Sequence, residues 1–302
     1  MQGKLYIVAT PIGNGEDMTG RAKRILGEVD IVAAEDTRTV QGLFRMLGIQ
    51  NRTISNHKFN ERNRSDYLVS MLEQGKDVAV VSEAGTPCIS DPGHAIVKAA
   101  VEKGIDVISV CGASAVIAAL SVSGFDVSSF AFYGFFPRGI NGVTETLRKA
   151  TGSGIPVSVF FESPRRIAKT LGVIAAEAPE AELCLCNDLT KAYEKIYRGA
   201  PRRVQEEVAC NSFSEKGEYT LVMHAKAAAP PATQKEVGSR EAMIMEYIVK
   251  NGGTLKEAVQ ALQERHKGQI PRSALYRASL RLKKMMEAIV AAETGRHSGG
   301  GQ

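Results

Sequence analysis

The chain has 302 residues, of which 44% are apolar and 24% charged, and its formal net charge at pH 7 is +5. The length predicts about two domains and the apolar fraction can build real cores, which excludes a disordered chain; the whole positive excess lies after residue 234. Because no run approaches the ~18 apolar residues of a membrane span and the chain starts directly in a strand-like segment, we expect a cytoplasmic protein without membrane contact.

The first part of the chain alternates short apolar runs with amphipathic segments. Strands are predicted at residues 5–10, 30–34, 78–81 and 106–110. Helical spacing of apolar residues occurs at 22–29, 44–47, 64–74 and 95–101. Strands that alternate with helices at this spacing predict a mostly parallel α/β sheet, and we place this first domain at residues 1–117.

A second α/β domain is predicted at residues 118–225, with a sheet that need not be purely parallel. Its strand-like runs fall at 130–134, 156–161, 183–186 and 219–224, with helical patterns at 144–150 and 164–177. Residues 226–236 are interrupted by proline and short of large apolar residues, which predicts a linker.

The remaining segment, 237–302, predicts a basic helical domain that ends in a disordered tail at 298–302. Thr254 and Glu257 match a capping box, and Pro271 fits the first turn of another helix. The apolar positions of that helix, which we expect to be buried, are Leu275, Leu282, Met286 and Ile289. Two short helices joined by a tight turn are similar to a helix-turn-helix.

Six loops lie at predicted carboxyl ends of strands, at 11–17, 35–38, 82–93, 111–115, 162–165 and 188–191. Ligands of open α/β sheets bind at this edge, and glycine and proline turns let the backbone approach them closely. One such loop alone is more often a plain surface turn, but six at corresponding positions favour a binding site. The five cysteines and five histidines show no ligand spacing, and motifs for a P-loop or zinc protease are missing, so we expect no metal.

Eight short sequence blocks occur in the order seen in one protein family. They are Thr10-Pro-Ile-Gly-Asn14, Ala34-Glu-Asp-Thr-Arg38, Ser82-x-Ala-Gly-Thr-Pro87, Ser90-Asp-Pro-Gly93, Gly134-Phe-Phe-Pro137, Phe160-x-Glu-Ser-Pro164, Leu189-Thr-Lys191 and Lys216-Gly-Glu218. On these blocks the chain resembles the RsmI family of small-subunit ribosomal RNA (cytidine-2′-O)-methyltransferases, a branch of the tetrapyrrole methylase superfamily. Several multi-residue blocks in one order are a specific signal.

The resemblance implies two α/β domains of the tetrapyrrole methylase type with a cofactor cleft between them, plus a small C-terminal helical domain. It implies S-adenosylmethionine as cofactor, a homodimer, and as substrate a cytidine ribose in the decoding region of 16S ribosomal RNA, within the small ribosomal subunit. We assign cofactor contacts to loop residues where the backbone can approach a ligand, namely Pro11, Gly13, Ser82, Glu83, Gly85, Thr86, Ser114 and Ala115.

Methyl transfer to a ribose hydroxyl needs the two reactants held in line and a group that draws off the proton. Positioning can supply ~7–11 kcal/mol and a general base ~3–5 kcal/mol, so we expect positioning to matter more. Glu162, Asp36 and Glu83 all remain candidates for the base. Lys191 orients the acceptor or, if burial lowers its pKa, acts itself. A structural ion pair between Asp36 and Arg38 is an equally good explanation of that loop.

Two groups of basic residues are candidate contacts for RNA phosphates. The candidates are Arg38, Arg165 and Arg166 near the loops and Arg272, Arg277, Arg281 and Lys284 in the helical domain. A solvated helix face explains the second group almost as well.

The chain departs from the family pattern at several positions, some of them on the side where the acceptor is expected to bind, and these departures keep two alternatives open. The departing residues are Glu83, Cys111, Ala113, Phe161, Arg165, Asn187 and Asp188. One alternative is a methylase of the same fold that acts on a tetrapyrrole or another RNA. The other is a non-catalytic RNA-binding or ribosome-assembly protein that kept the fold.

Overall fold

The structure, a computed structural model, describes residues 2–57, 61–225, 239–266 and 270–297. The predicted linker and the predicted disordered tail lie outside the described residues. The chain divides into two compact units, Met1–Ala229 and Pro230–Gln302. The predicted division of the first unit near residue 117 stays a prediction.

The first sheet has five parallel strands in the order β3-β2-β4-β1-β5. The strands are β1 (Leu5–Val8), β2 (Ile31–Ala34), β3 (Thr53–Ser55), β4 (Val78–Val81) and β5 (Val107–Val110). Four helices cover it: α1 (Gly20–Glu28), α2 (Thr37–Leu47), α3 (Glu61–Glu73) and α4 (His94–Glu102). The first two pack on one face and the last two on the other, which explains why β2 and β4 are continuous apolar runs.

The second sheet is mixed, with the order β6-β7-β10-β8-β9 and one parallel pair, β6 with β7. Its strands are β6 (Phe130–Phe135), β7 (Val157–Glu162), β8 (Glu182–Asn187), β9 (Lys195–Gly199) and β10 (Tyr219–His224). Helices α6 (Ile140–Thr151), α7 (Pro164–Glu177) and α8 (Pro201–Ala209) pack on one face. Helix α5 (Ala115–Ser123) packs on the other face, together with Ile12 from the loop after β1.

The second unit contains helices α9 (Arg240–Asn251), α10 (Leu255–Arg265) and α11 (Arg272–His297) around a core that includes Leu275 and Leu282. The capping box of Thr254 and Glu257 is confirmed. Met286 was expected to be buried but is 47% exposed. The reason is length, because the 26 residues of α11 extend past helices of 12 and 11 residues at 1.5 Å per residue.

The predicted fold class is confirmed: two α/β sheets followed by a helical region. Several elements escaped the sequence patterns. Strand β3 has only three residues, and α5 is apolar on all sides, so neither shows a clear period. Pro271 precedes α11 rather than lying in its first turn, and the side chain of Ile289 lies outside the described residues. None of the described helices has the length and apolar character needed to cross a membrane.

Candidate active site

A cavity of about 470 Å³ lies at the carboxyl edge of the first sheet, where loops of both sheets meet. Five of the six loops singled out from the sequence contribute to its wall. Its lining residues include Ile12, Glu35, Glu83, Gly85, Thr86, Asp91, Ser114, Ala115, Phe135, Phe161, Glu162, Ser163 and Glu218. The volume is typical of a pocket for a small molecule or cofactor.

The loops after β1 and β4 are locked to each other by backbone hydrogen bonds. The Thr10 N–H donates to the Gly85 carbonyl at 2.9 Å, and the Gly85 N–H donates to the Thr10 carbonyl at 3.0 Å. Gly85 has a φ of 79°, a left-handed conformation that favours glycine, and an added Cβ would lie 3.2 Å from Ile12. The Thr86 hydroxyl donates to the Ala113 carbonyl at 3.1 Å, which joins the loop after β5 to the same wall.

Two parts of the cavity wall differ in their electrostatic character. At one side lies the N-terminus of α5, where the Ser114 hydroxyl accepts the Ile117 N–H at 3.5 Å and where free amides favour an anionic group. Elsewhere the wall carries five carboxylates, those of Glu35, Glu83, Asp91, Glu162 and Glu218. None of the described residues that line the cavity is a lysine, arginine or histidine. The cavity therefore suits a ligand with a positive centre and a carboxylate.

Glu162 is held by three hydrogen-bond donors. One carboxylate oxygen accepts the Ser163 N–H at 2.6 Å and pairs with the Arg166 guanidinium at 2.5 Å, and the other accepts the Thr170 hydroxyl at 2.6 Å. Its side chain is fully buried. Arg166 also donates to the Ser163 hydroxyl and the Phe136 carbonyl. Both side chains thus stabilise the start of α7. Glu162, a predicted base, and Arg166, a predicted phosphate contact, are therefore already paired with other groups of the protein.

Asp36 lies beside the cavity rather than in its wall, at the N-cap of α2. Its carboxylate accepts the Arg38 backbone N–H at 2.8 Å and pairs with the Arg38 guanidinium at 2.7 Å. The hydrogen bond from this guanidinium lowers the pKa of Asp36 to about 2. This is the structural ion pair anticipated as an alternative, and so acidic a carboxyl group is a weak base.

Lys191 also lies outside the lining and pairs with two carboxylates. Its ammonium group is 2.8 Å from Asp188 Oδ1 and 3.0 Å from Glu218 Oε2. Burial acts to lower the pKa of Lys191, but the hydrogen bonds that its ammonium group donates to these two carboxylates outweigh it and the pKa is raised. The condition under which Lys191 would act as the base is therefore not met, and Lys191 is a cation at neutral pH.

A family model, that of the Tetrapyrrole (Corrin/Porphyrin) Methylases, matches residues 4–204, which is more than half of the chain. The chain belongs to the tetrapyrrole methylase family. Curated relatives within it carry the name Ribosomal RNA small subunit methyltransferase I. The protein of Thermotoga maritima is 41% identical and spans 74% of this chain and 99% of its own length. That of Escherichia coli O157:H7 is 36% identical and spans 92% and 95%. The chain also belongs to this narrower group of methyltransferases.

Two solved structures share the fold of this tetrapyrrole methylase. Diphthine synthase superposes with a TM-score of 0.59 at 16% identity, covering 74% of this chain and 90% of that one. The methyltransferase CobJ superposes with a TM-score of 0.55 at 17% identity, covering 74% and 95%. At this identity the likeness shows the fold alone.

This tetrapyrrole methylase uses S-adenosylmethionine, as predicted. The cavity fits that cofactor, because a sulfonium ion and an amino group suit the acidic wall and a carboxylate suits the N-terminus of α5. Five of the eight residues assigned to the cofactor line the cavity: Glu83, Gly85, Thr86, Ser114 and Ala115. Pro11, Gly13 and Ser82 do not. The Ser82 hydroxyl turns into its own loop and donates to the Ala84 and Gly85 carbonyls.

The basic residues predicted to contact phosphates differ in whether their side chains already pair with other residues of the protein. The Arg165 side chain is exposed and makes no hydrogen bond or ion pair with another described residue, whereas Arg38 is exposed but paired with Asp36. In the second unit Arg281 pairs with Glu241 at 2.7 Å, Arg277 donates to the Ser273 carbonyl, and Lys284 is exposed. The backbone of Arg272 starts α11, and its side chain lies outside the described residues. RNA binding by these residues stays a prediction.

Several lining residues of this methylase were missed by sequence reasoning, namely Glu35, Asp91, Phe135, Phe161 and Glu218. Glu35, Asp91 and Phe135 stand in the family blocks, and Phe161 was noted as a departure from them, but none of the four had been given a ligand role. Glu218 is the last residue of the block that starts at Lys216, and this block is the sequence signal from which its place in the site could have been predicted. The strand-end loops were easier to find, because each follows a strand that the apolar pattern had already predicted.

Proposed function

We propose that the chain transfers a methyl group from S-adenosylmethionine to the ribose 2′-hydroxyl of a cytidine in the decoding region of 16S ribosomal RNA. The observation that carries this proposal is the match to proteins named Ribosomal RNA small subunit methyltransferase I at 36–41% identity, one of them over 92% of the chain. The eight sequence blocks support the finer choice of a cytidine ribose. A cytoplasmic homodimer acting on the small ribosomal subunit belongs to the same proposal.

The chain's own residues supply binding and orientation. S-adenosylmethionine supplies the methyl group when it is bound. Gly85 and Thr86, whose backbone forms part of the cavity wall, would hold the cofactor, and the first turn of α5 would hold its carboxylate. On the second-sheet side, Phe135 and Phe161 have ring centroids 5.4 Å apart, and Phe135 is 57% exposed. These rings offer a stacking surface for the cytosine base.

The acidic wall repels phosphates, so the RNA backbone has to be held outside the cavity. Arg165 follows the cavity residues Ser163 and Pro164 directly and is exposed, which suits it to that task. Glu162 keeps the start of α7 in place through its three donors and thereby positions Arg165. In this arrangement the cavity selects the cofactor and the adjacent arginine selects the nucleic acid.

The test is transfer of labelled methyl from S-adenosylmethionine to small ribosomal subunits that lack 2′-O-methylation, with the modified position mapped by mass spectrometry. We expect one methylated cytidine in the decoding region. Methylation of another nucleotide or of a tetrapyrrole would support the first alternative. Cofactor binding without transfer to any of these acceptors would support the non-catalytic alternative. Subunits that already carry the modification are the control and should take up no label.

A further inference from the structure

Glu218 differs from Glu162 and Glu83, two of the predicted bases, in being both open to the cavity and fixed by a partner. It lines the cavity, its side chain is 68% exposed, and Lys191 is the donor to its carboxylate among the described residues. Oxygen Oε1 therefore remains available to a hydroxyl group. Glu162, by contrast, has donors on both oxygens, and Glu83 is exposed with no described partner that would hold it.

Hydrogen bonds with Asp188 and Lys191, which lie in the loop after β8, hold Glu218 in place. Asp188 N–H donates to the Glu218 carbonyl at 2.9 Å, and the Glu218 N–H donates to Asp188 Oδ1 at 3.2 Å. The same Oδ1 atom accepts the Lys191 ammonium at 2.8 Å, and this ammonium reaches Glu218 Oε2 at 3.0 Å. The backbone and the side chain of Glu218 are thus fixed by one pair of residues.

The loop that carries this pair adopts an uncommon backbone conformation. Asp188 and Thr190 have φ angles of 52° and 65°, a region that residues other than glycine rarely occupy. Such conformations persist where the surroundings enforce them and are concentrated at functional sites. Gly13 leaves room for the Lys191 stem, which a Cβ at that position would overlap. The loop is therefore built to bring Lys191 back onto Asp188 and Glu218.

We propose that Glu218 is the catalytic carboxylate that takes the proton of the acceptor hydroxyl, and that Lys191 and Asp188 are its positioning residues. The inference rests on the proposed function. The O–H bond of the ribose breaks and its proton passes to Glu218 Oε1, while the oxygen uses the freed electron pair to bond the methyl carbon. The electrons of the sulfur–methyl bond stay on sulfur. One positive charge and one negative charge are removed, and Glu218 returns its proton to solvent.

The charged groups around Glu218 show which residue positions its carboxylate. Lys191 and Asp188 contact it from the loop after β8, and Glu35, Glu83, Asp91 and Glu162 share the cavity wall. Because Lys191 holds Glu218 Oε2 at 3.0 Å, its removal frees the Glu218 side chain to turn away from the acceptor hydroxyl. We expect Lys191→Met to lower kcat by about tenfold or more, while KM for the subunit and the Kd of S-adenosylmethionine change by less than about threefold.

The test compares full-length variants on small subunits that lack the modification. Glu218→Gln should lower kcat by about 10²-fold or more, with KM for the subunit and the Kd of S-adenosylmethionine changed by less than about threefold. Glu215→Gln, an exposed glutamate three residues away, is the matched control and should behave like the wild type. Lys191→Met should show the lowered kcat, and Lys191→Arg, which keeps the positive charge, should restore part of it.

The same variants decide against the proposal if the results differ. Wild-type kcat in Glu218→Gln, or a comparable loss in Glu83→Gln alone, would overturn the assignment of the proton acceptor. Wild-type kcat in Lys191→Met would overturn the positioning role. If the wild type methylates no cytidine, the proposed function fails and the acceptor role of Glu218 fails with it; if the wild type methylates the cytidine and Glu218→Gln does so equally fast, only the role of Glu218 fails.

Discussion

Replacement of Glu162 by glutamine separates a structural role of this residue from a catalytic one. The carboxylate is fully buried and accepts from Ser163, Thr170 and Arg166. Removing one partner of a buried ion pair costs about 3–5 kcal/mol. Arg166 is 31% exposed and keeps its carbonyl acceptors, so we expect Glu162→Gln to lower the free energy of unfolding by the smaller amount of about 2–3 kcal/mol.

Urea unfolding followed by circular dichroism measures this change, with turnover measured at a temperature where both proteins are folded. Thr170→Val is the control, because it removes one donor, leaves the charge pair intact and should cost about 1 kcal/mol. We expect kcat of Glu162→Gln to stay within about tenfold of the wild type, since a general base supplies 10²–10⁴-fold. Unchanged unfolding together with a loss of more than about 100-fold in kcat would refute this reasoning and restore Glu162 as the base.

Three further changes test the rest of the site and the helical unit. Because Arg38 lowers the pKa of Asp36 to about 2 from an ordinary value of 3.8, Asp36 stabilises the fold above about pH 4, and this contribution is lost as the pH falls towards 2. Arg38→Ala should return the pKa of Asp36 towards 3.8 in an NMR titration, and an unmoved pKa would contradict the pairing. Gly85→Ala should weaken S-adenosylmethionine binding in calorimetry by about tenfold or more, because the positive φ of Gly85 and its contact with Ile12 both oppose an added Cβ. Unchanged affinity would show that Gly85 does not contact the cofactor. Thr254→Ala should lower the unfolding free energy of the helical unit by about 1 kcal/mol, and no change would show that the capping box contributes nothing.

The acidic cavity separates two tasks that a methyltransferase acting on RNA has to combine. A wall with five carboxylates and no described basic residue favours a cationic cofactor over a polyanion. The exposed Arg165 follows this wall directly, where it suits a phosphate. The guanidinium of Arg165 stays charged at any pH the protein survives, so we expect RNA binding through Arg165 to weaken as the salt concentration rises.

The amino-acid sequence by itself determined the fold class and the edge at which the site lies. Continuous apolar runs predicted the buried strands β2 and β4, and the turn-rich segments that follow the strands marked the loops. These signals are local, since each depends on the order of residues within one element. The chain's membership of its family was equally readable, because blocks of several residues keep their order along the chain.

Only the tertiary structure decided which carboxylate of the cavity has hydrogen-bond donors on both oxygens and which keeps one oxygen available to a ligand. Glu162 had been a candidate base, but Thr170 and Arg166 reach it from the next helix. Glu218 and Asp188 lie 30 residues apart and meet because β8 and β10 pair antiparallel, which also places Lys191 between them. Hydrogen-bond donors, burial and neighbouring charges set the role of an acidic residue, and these come from residues distant in the chain that folding brings into contact.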